Sequence, residues 1–483
     1  MGIVFRQSVN NTLITYFGFA IGALNTLFLY TRFLSEEYYG LVGVILSTAT
    51  LIMPVMAFGV PNTLIKFYSR FKVEDSRSFL SLMLLLPLIM IIPLAVLSFL
   101  ANEAIGSFLA NKNLIVRDYV WHIFLIGLAM AYFEVFYAWS KVHMKSVFGN
   151  FMKEVFVRVG VSVLLLLLYA DLITVSFFLY ALVGLYLLRT IIMKLVAYSL
   201  EFPGFSIKRS VVTREIFTYS FLIILGGSTA IILLEIDRFM INQFIEINNV
   251  AYYTVAIFIA TVVAVPSRAM HQITYPLTAE IMNQNDGVRL KGLYQKSSLT
   301  LFIVAGMIFL LIVMNLPDLY TFLPENYRGG FLVVFLIGLC RVYDALLGNN
   351  NAILFNSRYY RVVLLMGVLL ALITILLNLV LIPIYQTAGA AMATFIAITL
   401  YNTAKLIFVW LKFKITPFSK DTAKVLGLLL FVGVLFYALQ FPFHPVLNII
   451  LKSGLMLLMY AGILYRFKIS EDIFGILSRW KGK

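Results

Sequence analysis

The stretch FLSLMLLLPLIMIIPLAVLSFL occupies residues 79–100 and contains no charged side chain. A helix of that length extends about 33 Å, which matches the roughly 30 Å hydrocarbon core of a bilayer. In water such a helix would expose apolar side chains on every face, because it has no polar stripe. The stretch therefore predicts a membrane-spanning helix. The rest of the chain is accordingly considered in a lipid bilayer rather than in water.

Thirteen further stretches are of similar length and mostly apolar, and they cover most of the chain. The fourteen predicted transmembrane helices lie at residues 10–32, 40–65, 79–100, 119–139, 152–170, 175–196, 216–243, 251–280, 298–316, 330–351, 362–384, 387–410, 424–441 and 447–465. Composition agrees, since 62% of the residues are hydrophobic and 12% are charged. The predicted fold class is an all-α polytopic membrane protein.

An even number of spans places both termini on one side of the membrane. All but six of the 37 Lys and Arg residues fall on that side, so the positive-inside rule predicts cytoplasmic termini. The net charge of +15 is then mainly a signal of topology, and a nucleic-acid partner is not expected. The first span is too long for a signal peptide and predicts a retained helix. With Cys340 as its single cysteine, the chain forms no intrachain disulfide.

The connections between spans are too short to fold a catalytic domain, and the longest cytoplasmic one runs from about residue 197 to 215. Gly287 and Gly292 have the first spacing of a phosphate-binding loop, but Leu293 stands where its Lys is required. Four scattered histidines, without an HExxH motif, do not form a metal site of the usual spacing. We therefore expect no cofactor, no metal site and no enzymatic activity.

An internal repeat in the sequence indicates two related halves. When spans one and two are shifted by 212 residues they fall on spans seven and eight, and Pro54 meets Pro266. Two halves in the same orientation predict a parallel repeat, with a cavity between two six-helix lobes. The predicted domains are an N-lobe at 1–205, a C-lobe at 206–415, a helix pair at 416–466 and a cytoplasmic amphipathic tail at 467–483.

Several motifs give the chain a family resemblance. The segment EIDRFMI at 235–241 is followed by VAYY at 250–253, and NLVLIP at 378–383 is followed by TAGAA at 387–391. The start of the chain adds SVNNT at 8–12, YYG at 38–40 and FG at 58–59. In this order and spacing the motifs resemble the polysaccharide flippases of the multidrug/oligosaccharidyl-lipid/polysaccharide exporter superfamily.

The resemblance implies a function. Such flippases move undecaprenyl-diphosphate-linked oligosaccharides from the inner to the outer leaflet of the bacterial cytoplasmic membrane, by alternating access, for cell-surface polysaccharide or lipopolysaccharide synthesis. The implied partners are the lipid-linked oligosaccharide, membrane lipids, H⁺ or Na⁺ as coupling ion, and a polymerase or glycosyltransferase. Two alternatives stay open: a cation-coupled multidrug exporter of the same superfamily, and a membrane-embedded glycosyltransferase or ligase.

A lipid diphosphate brings negative charge into low dielectric, so a carrier needs cations and hydrogen-bonding groups inside its helices. On span eight, Arg268, His271 and Tyr275 recur at i, i+3 and i+7 and form a polar stripe. The candidate substrate-binding residues are Arg268, Arg238, Arg341, His271, Gln272 and Asn25. The candidate coupling or gating residues are Asp237, Glu134 and Asp344.

Several candidates also have a structural interpretation. Arg341 and Asp344 are three residues apart on one helix, which is the spacing of a stabilising ion pair. Arg238 lies near the predicted outer end of span seven, from which its side chain could reach the interface. Glu134 could bond a neighbouring helix only, and His271 could be a satisfied polar histidine rather than a proton-coupling one.

Two further segments carry packing or anchoring patterns. Gly18 and Gly22 form a GxxxG pair, which is typical of close helix packing in membranes. In the C-terminal tail, Ile469, Ile473 and Trp480 fall on one helical face with basic residues nearby. That pattern predicts an interfacial helix on the anionic cytoplasmic leaflet.

Overall fold

The computed structural model describes residues 3–71, 73–204, 206–227, 229–437, 439–467 and 469. Over these residues the chain is helical and contains no β-strand. The helices, numbered in chain order, are α1 Ile3–Leu24, α2 Tyr30–Phe33, α3 Glu36–Met56, α4 Val60–Phe67, α5 Val73–Leu85, α6 Leu88–Leu100, α7 Asn102–Leu109, α8 Val120–Val142, α9 Ser146–Phe151, α10 Val157–Tyr169, α11 Val175–Leu200, α12 Arg214–Gly227, α13 Thr229–Phe244, α14 Asn248–Thr261, α15 Val265–Asn283, α16 Gly287–Tyr320, α17 Phe331–Leu346, α18 Asn350–Phe355, α19 Tyr360–Phe413, α20 Lys420–Tyr437 and α21 Pro445–Arg466.

Short segments of other helical geometry interrupt this series. Two are π-helical, at Asn25–Leu29 and Met152–Phe156. Five are 3₁₀-helical, at Tyr68–Arg70, Leu114–Tyr119, Arg209–Val211, Val262–Ala264 and Glu325–Tyr327. Within α19 the backbone leaves the helical region at Gln386, where φ is 54° and ψ is −132°. Helix α19 is therefore two helical segments joined at one residue.

The prediction of an all-α membrane protein is confirmed. In the described part of the chain, nine helical segments are long and apolar enough to cross a membrane. They are Val9–Phe33, Glu36–Met56, Asp75–Leu100, Leu114–Val142, Val175–Leu200, Asn248–His271, Gly287–Tyr320, Arg361–Phe413 and Pro445–Arg466. The segment Arg361–Phe413 covers two predicted spans, because the turn at Gln386 is a single residue. The number of crossings and the side of the termini stay predictions.

The helices group into two compact units by their internal contacts. Unit 1 comprises Met1–Thr254 and Gly367–Gln386, and unit 2 comprises Val255–Met366 and Thr387–Lys483. The predicted lobes, with their boundary between residues 205 and 206, rest on the sequence repeat rather than on contacts, and they stay a prediction. The predicted amphipathic tail at 467–483 lies outside the described residues except for Phe467 and Ile469.

The interior of unit 1 is built around α8. This helix packs against α3, α4 and α11, and its buried aromatic side chains belong to one apolar cluster. The cluster includes Phe133, Phe136, Tyr137 and Trp139. The opposite case is α6, which leaves Phe99 and Leu100 more than 70% exposed. Apolar exposure on that scale suits contact with lipid chains, where it costs nothing.

Unit 2 is organised around α16, which packs against α15, α17, α20 and α21. Helix α20 shows how these helices meet both protein and lipid. It buries Val425 and Val432 in the core cluster and leaves Leu430 and Val434 exposed. A helix that is apolar all round in this way is expected in a bilayer.

Candidate functional site

The predicted coupling residue Asp237 lies in the interior of unit 1, on α13. Its side chain is 1% exposed. The Tyr253 hydroxyl donates a hydrogen bond to its carboxylate over 2.5 Å, and the Asn378 amide donates another over 2.8 Å. A carboxylate withdrawn from water needs such donors, because burial without them is costly. Asp237 therefore ties together α13, α14 and the first segment of α19.

The next residue, Arg238, forms an ion pair within α13. Its guanidinium lies 2.5 Å from the carboxylate of Glu235, which is three residues earlier, and its Nε donates to the Thr254 hydroxyl over 3.0 Å. Residues at this spacing share one helical face. Arg238 is thus held by internal partners, and its predicted contact with a diphosphate stays a prediction.

The Glu235–Arg238 pair borders a cavity of about 280 Å³ inside unit 1, here named the tyrosine cavity. Its lining combines hydroxyl-bearing side chains with aromatic rings and a few apolar residues. The lining residues are Thr26, Tyr30, Tyr39, Val42, Gly43, Leu46, Thr50, Met130, Tyr186, Glu235, Arg238 and Thr254. Because the one carboxylate and the one guanidinium neutralise each other, the cavity carries no net charge.

A second cavity of unit 1, of about 210 Å³, contains the predicted residue Glu134 and is here named the lysine cavity. It is lined by Met53, Pro54, Ala57, Gly59, Pro61, Asn62, Ile65, Glu134, Ala138, Lys141, Lys153, Ile223 and Ile224. Lys153 lies in the π-helical segment and donates to the Glu134 carboxylate over 2.6 Å. Glu134 and Lys141 share a face of α8, since they are seven residues apart. Two lysines outweigh one glutamate, so this cavity is positively charged.

A further cation, Arg189, lies beside these groups on α11. The residue is 6% exposed, and its guanidinium carbon lies 4.0 Å from the centre of the Phe133 ring and 4.9 Å from that of Tyr186. These are cation–π contacts, which stabilise a buried positive charge. Its Nε has no hydrogen-bond partner among the described residues. A positive group held on aromatic faces retains donors for another anion.

Sequence reasoning missed Lys141, Lys153 and Arg189 as site residues, because it counted them as charges of the cytoplasmic side. For two of them a signal was present. Lys153 falls within predicted span five and Arg189 within predicted span six. A basic residue inside a span is a functional hypothesis by default, and applying that rule to every span would have found them.

The predicted cavity residue Asn25 is instead engaged in helix packing. It is 3% exposed and opens the π-helical segment after α1. Its amide donates to the Arg158 carbonyl over 2.8 Å, and its oxygen accepts from the Ser162 hydroxyl over 2.6 Å. Both polar ends of the side chain are thus satisfied by α10, and its predicted role toward substrate stays a prediction.

In unit 2 the predicted residues Arg341 and Asp344 lie together on α17, with guanidinium and carboxylate 3.5 Å apart. The Asn402 amide donates to the same carboxylate over 2.6 Å. The Arg341 Nε has no hydrogen-bond partner among the described residues. The pair therefore has the geometry of the predicted ion pair, and it also retains a donor for a further group.

Lys405, which the sequence did not single out, is buried nearby on the second segment of α19. It is 2% exposed, its Nζ donates to the Asn351 side chain over 3.0 Å, and it lies 4.2 Å from the centre of the Tyr401 ring. An amide oxygen and an aromatic face hold a cation without neutralising it. Unit 2 thus also contains more buried positive than negative charge at this place.

The remaining predicted residues lie on α15. The His271 and Tyr275 rings meet edge to face, with centres 5.6 Å apart, and the His271 Nδ1 has no hydrogen-bond partner among the described residues. Arg268 is exposed. The side chain of Gln272 lies outside those that the structure describes. In the described part of the chain no three His, Cys, Asp or Glu residues form a group that could hold a metal ion.

The fold, with its long apolar helices, shows that the chain is a multi-pass, all-helical membrane protein. A family model described as polysaccharide biosynthesis protein matches residues 6–282. This protein belongs to that family, and the resemblance predicted from its motifs is confirmed. Among curated proteins none matches the chain.

Several solved structures share the fold of this chain. The lipid II flippase MurJ, in an inward closed conformation, superposes with a TM-score of 0.72 at 14% identity over 96% of this chain and 100% of that one. An inward-facing multidrug resistance MATE family transporter of the MOP superfamily gives 0.64 at 13% identity over 84% and 98%. A MOP superfamily transporter from Pyrococcus furiosus gives 0.58 at 14% over 85% and 95%. These three proteins are a flippase and two transporters.

Proposed function

We propose that this protein is a flippase of the bacterial cytoplasmic membrane. Its substrate is an undecaprenyl-diphosphate-linked oligosaccharide, which it moves from the inner to the outer leaflet by alternating access during cell-surface polysaccharide or lipopolysaccharide synthesis. Membership of the polysaccharide biosynthesis family supports the pathway. The fold shared with a lipid II flippase supports the type of cargo, because that protein also handles a lipid-linked substrate.

The observation that carries the proposal is the positive charge of the lysine cavity. A diphosphate entering a low-dielectric interior loses its hydration and must be compensated by cations and hydrogen-bond donors. Lys141 and Lys153 line the cavity, and Glu134 offsets only one of them. Arg189 adds a further buried cation on the neighbouring helix. An ammonium group is a compact point charge, which suits a phosphate oxygen.

The same charge balance argues against the multidrug exporter. A carrier of cationic drugs gains from acidic groups in its cavity, whereas basic groups repel such cargo. In unit 2 as well, Arg341 and Lys405 outnumber Asp344. A membrane-embedded transferase or ligase is disfavoured by the short connections between the helices.

The proposed energy source for transport is an ion gradient or the membrane potential. Because no nucleotide-binding motif is present, a gradient of H⁺ or Na⁺, or the membrane potential, is the natural driving force, and Asp237, Glu134 and Asp344 are the candidate coupling or gating residues. Consumption of the flipped lipid by a polymerase or glycosyltransferase partner would draw transport in the same direction.

The test uses sealed proteoliposomes that contain this protein and fluorescent undecaprenyl-diphosphate oligosaccharide, with accessibility to an impermeant quencher as the readout. We expect Lys141→Gln to lower the initial rate by about tenfold, the scale of one lost charge-assisted hydrogen bond. Lys145→Gln is the matched control, because it removes the same charge from an exposed position four residues later. A wild-type protein that accelerates no lipid movement under any imposed gradient overturns the proposal. Equal rates for the two variants would show that the lysine cavity is not the diphosphate-binding site.

A further inference from the structure

The tyrosine cavity has a different chemistry from the lysine cavity, although both lie in unit 1. Six of its lining residues carry hydroxyl groups, and its two charged residues, Glu235 and Arg238, lie 2.5 Å apart. The ion pair leaves no excess positive charge for a diphosphate. It does offer a carboxylate acceptor beside guanidinium donors, which together can bind neighbouring hydroxyl groups of one ligand.

Two tyrosine hydroxyls at this cavity have no hydrogen-bond partner among the described residues. Tyr30 and Tyr186 are each 8% exposed and line the cavity, and neither hydroxyl forms a hydrogen bond to another described residue. Since no described residue forms a hydrogen bond to these hydroxyls, they are available to a molecule inside the cavity.

An aromatic wall accompanies the hydroxyls. The rings of Tyr30 and Tyr39 stack with centres 4.7 Å apart and planes inclined by 3°, and the Phe178 ring lies nearly perpendicular to that of Tyr30, with centres 6.5 Å apart. Rigid rings that carry a polar group combine apolar contact area with hydrogen bonding. A pyranose needs that combination, because its ring has apolar C–H faces and a rim of hydroxyls.

The cavity is larger than a single small occupant needs. Its volume of about 280 Å³ is far larger than the roughly 10–15 Å³ that one water needs. A dehydrated cation would fill little of it, and the carboxylate that would attract a cation is already paired with Arg238. The space and the lining fit an uncharged polyhydroxylated ring.

The two cavities adjoin along the same helices. On α3, Thr50 lines the tyrosine cavity and Met53 lines the lysine cavity; on α8, Met130 and Glu134 are divided in the same way. Three or four residues correspond to about 5–6 Å along a helix. A group bound in one cavity can therefore be covalently linked to a group bound in the other.

We infer that the tyrosine cavity binds the first sugar of the lipid-linked oligosaccharide, as a neutral pyranose, while the diphosphate occupies the lysine cavity. This inference rests on the proposed function. The Glu235–Arg238 pair and the hydroxyls of Tyr30 and Tyr186 bind the sugar hydroxyls, and the aromatic rings that line the cavity contact a face of the pyranose. Arg238 is then a sugar-binding residue rather than a diphosphate contact.

The experiment compares two lipids in proteoliposomes: undecaprenyl diphosphate without sugar, and the same lipid carrying one N-acetylglucosamine or one galactose. The quantity measured is the ratio of the initial flipping rates, glycosylated over unglycosylated. For the better of the two sugars, we expect Tyr186→Phe to lower this ratio by about three- to tenfold, the scale of a lost hydrogen bond. Tyr30→Phe, which retains the stacked ring, should act in the same direction. Tyr180→Phe on the same helix is 68% exposed and is the control.

The outcomes separate this inference from the function beneath it. If wild-type protein flips neither these two lipids nor the oligosaccharide-linked lipid, the proposed function fails, and the inference fails with it. If it flips the oligosaccharide-linked lipid but neither of these two, recognition does not rest on the first sugar, and the sugar site is overturned while the flippase stands. If it flips both lipids and Tyr186→Phe and Tyr30→Phe leave the ratio at the wild-type value, the sugar site is overturned and the flippase stands. A shift in the Na⁺ concentration needed for transport, at an unchanged ratio, would make the cavity a cation site instead.

Discussion

Asn378 donates a hydrogen bond to the carboxylate of Asp237 over 2.8 Å, although the two residues are 141 positions apart in the chain. Both belong to segments that carry the family resemblance, and the second donor, Tyr253, belongs to a third. Motifs that look unrelated along the sequence therefore meet at one buried acid. Their common physical requirement is to keep that acid supplied with hydrogen bonds.

The first prediction concerns this contact. Replacing Asn378 by Ala removes a donor from a buried carboxylate, and we expect the variant to lose about 1–2 kcal/mol of unfolding free energy. The measurement is equilibrium unfolding in detergent. Asn102→Ala, at an exposed position in the same unit, should be neutral. A loss of the same size at both positions would show that the cost comes from shortening an asparagine rather than from the contact.

The fold could be predicted because a bilayer restricts the chain strongly. Only helices satisfy their own backbone in lipid, so apolar length alone placed helical segments such as α8 and α11 close to their observed bounds. Ion pairs between residues of one helix turn could be predicted as well. Glu235 and Arg238 share a helical face by their spacing, and the structure joins them at 2.5 Å.

The candidate site was harder to predict than the fold, because its contacts join residues on different helices. Lys153 and Glu134 are 19 residues apart and lie on different elements, and no periodicity within one helix brings them together. The partners of Asn25 on α10 are likewise a product of helix packing. Sequence patterns identified polar residues inside the membrane, but which of them face a cavity depends on how the helices rotate against each other.

The second prediction concerns the GxxxG pair of α1. A Cβ on Gly18 would lie 2.5 Å from the backbone oxygen of Glu154, whereas the three atoms nearest to one on Gly22 all belong to the Arg158 side chain, at 3.2 Å or more. Backbone cannot move aside as a side chain can. Gly18→Ala should therefore destabilise the protein by about 1–3 kcal/mol, and Gly22→Ala by less.

Gly184 on α11 provides the control for these glycines, because nothing lies within 4 Å of a Cβ placed there. Gly184→Ala should be neutral or stabilising by up to about 1 kcal/mol, since Ala favours a helix interior. Thermal unfolding in detergent gives the order of the three variants. If Gly22→Ala is the more costly of the α1 pair, the close approach at Gly18 is not what limits packing.

The third prediction concerns pH. Tyr68 lies outside the spanning helices, and its hydroxyl donates to the Glu201 carboxylate over 2.5 Å, beside His143. Burial, and then the hydrogen bond to Glu201, raise the pKa of Tyr68 above its ordinary value. A folded-state pKa above the unfolded one means that the proton stabilises the fold. That stability is complete below about pH 10 and declines as the pH rises toward the folded pKa.

Tyr68→Phe removes this contribution, so the variant should be less stable than wild type at neutral pH by about 1 kcal/mol or more. The gap should narrow above about pH 10, where the wild type loses the proton's contribution. Unfolding midpoints measured across the alkaline range test this. The exposed Tyr180→Phe should run parallel to wild type throughout. A gap that stays constant through the alkaline range would contradict the assignment of the stabilising proton to Tyr68.

The fourth prediction concerns the single-residue turn inside α19. Gln386 has φ 54° and ψ −132°. In turns this backbone conformation is normally found at glycine, because a Cβ would be crowded by the neighbouring backbone. Gln386→Gly should relieve that strain, and after the larger chain entropy of glycine is subtracted we expect a gain of about 1 kcal/mol in unfolding free energy. Leu372→Gly, at an exposed position in the regular part of α19, should instead cost about 1 kcal/mol. Both variants introduce the same residue into the same helix, so opposite signs in one detergent unfolding series would isolate the backbone conformation as the cause. A loss at both positions would show that the side chain of Gln386 contributes more than its backbone strain costs.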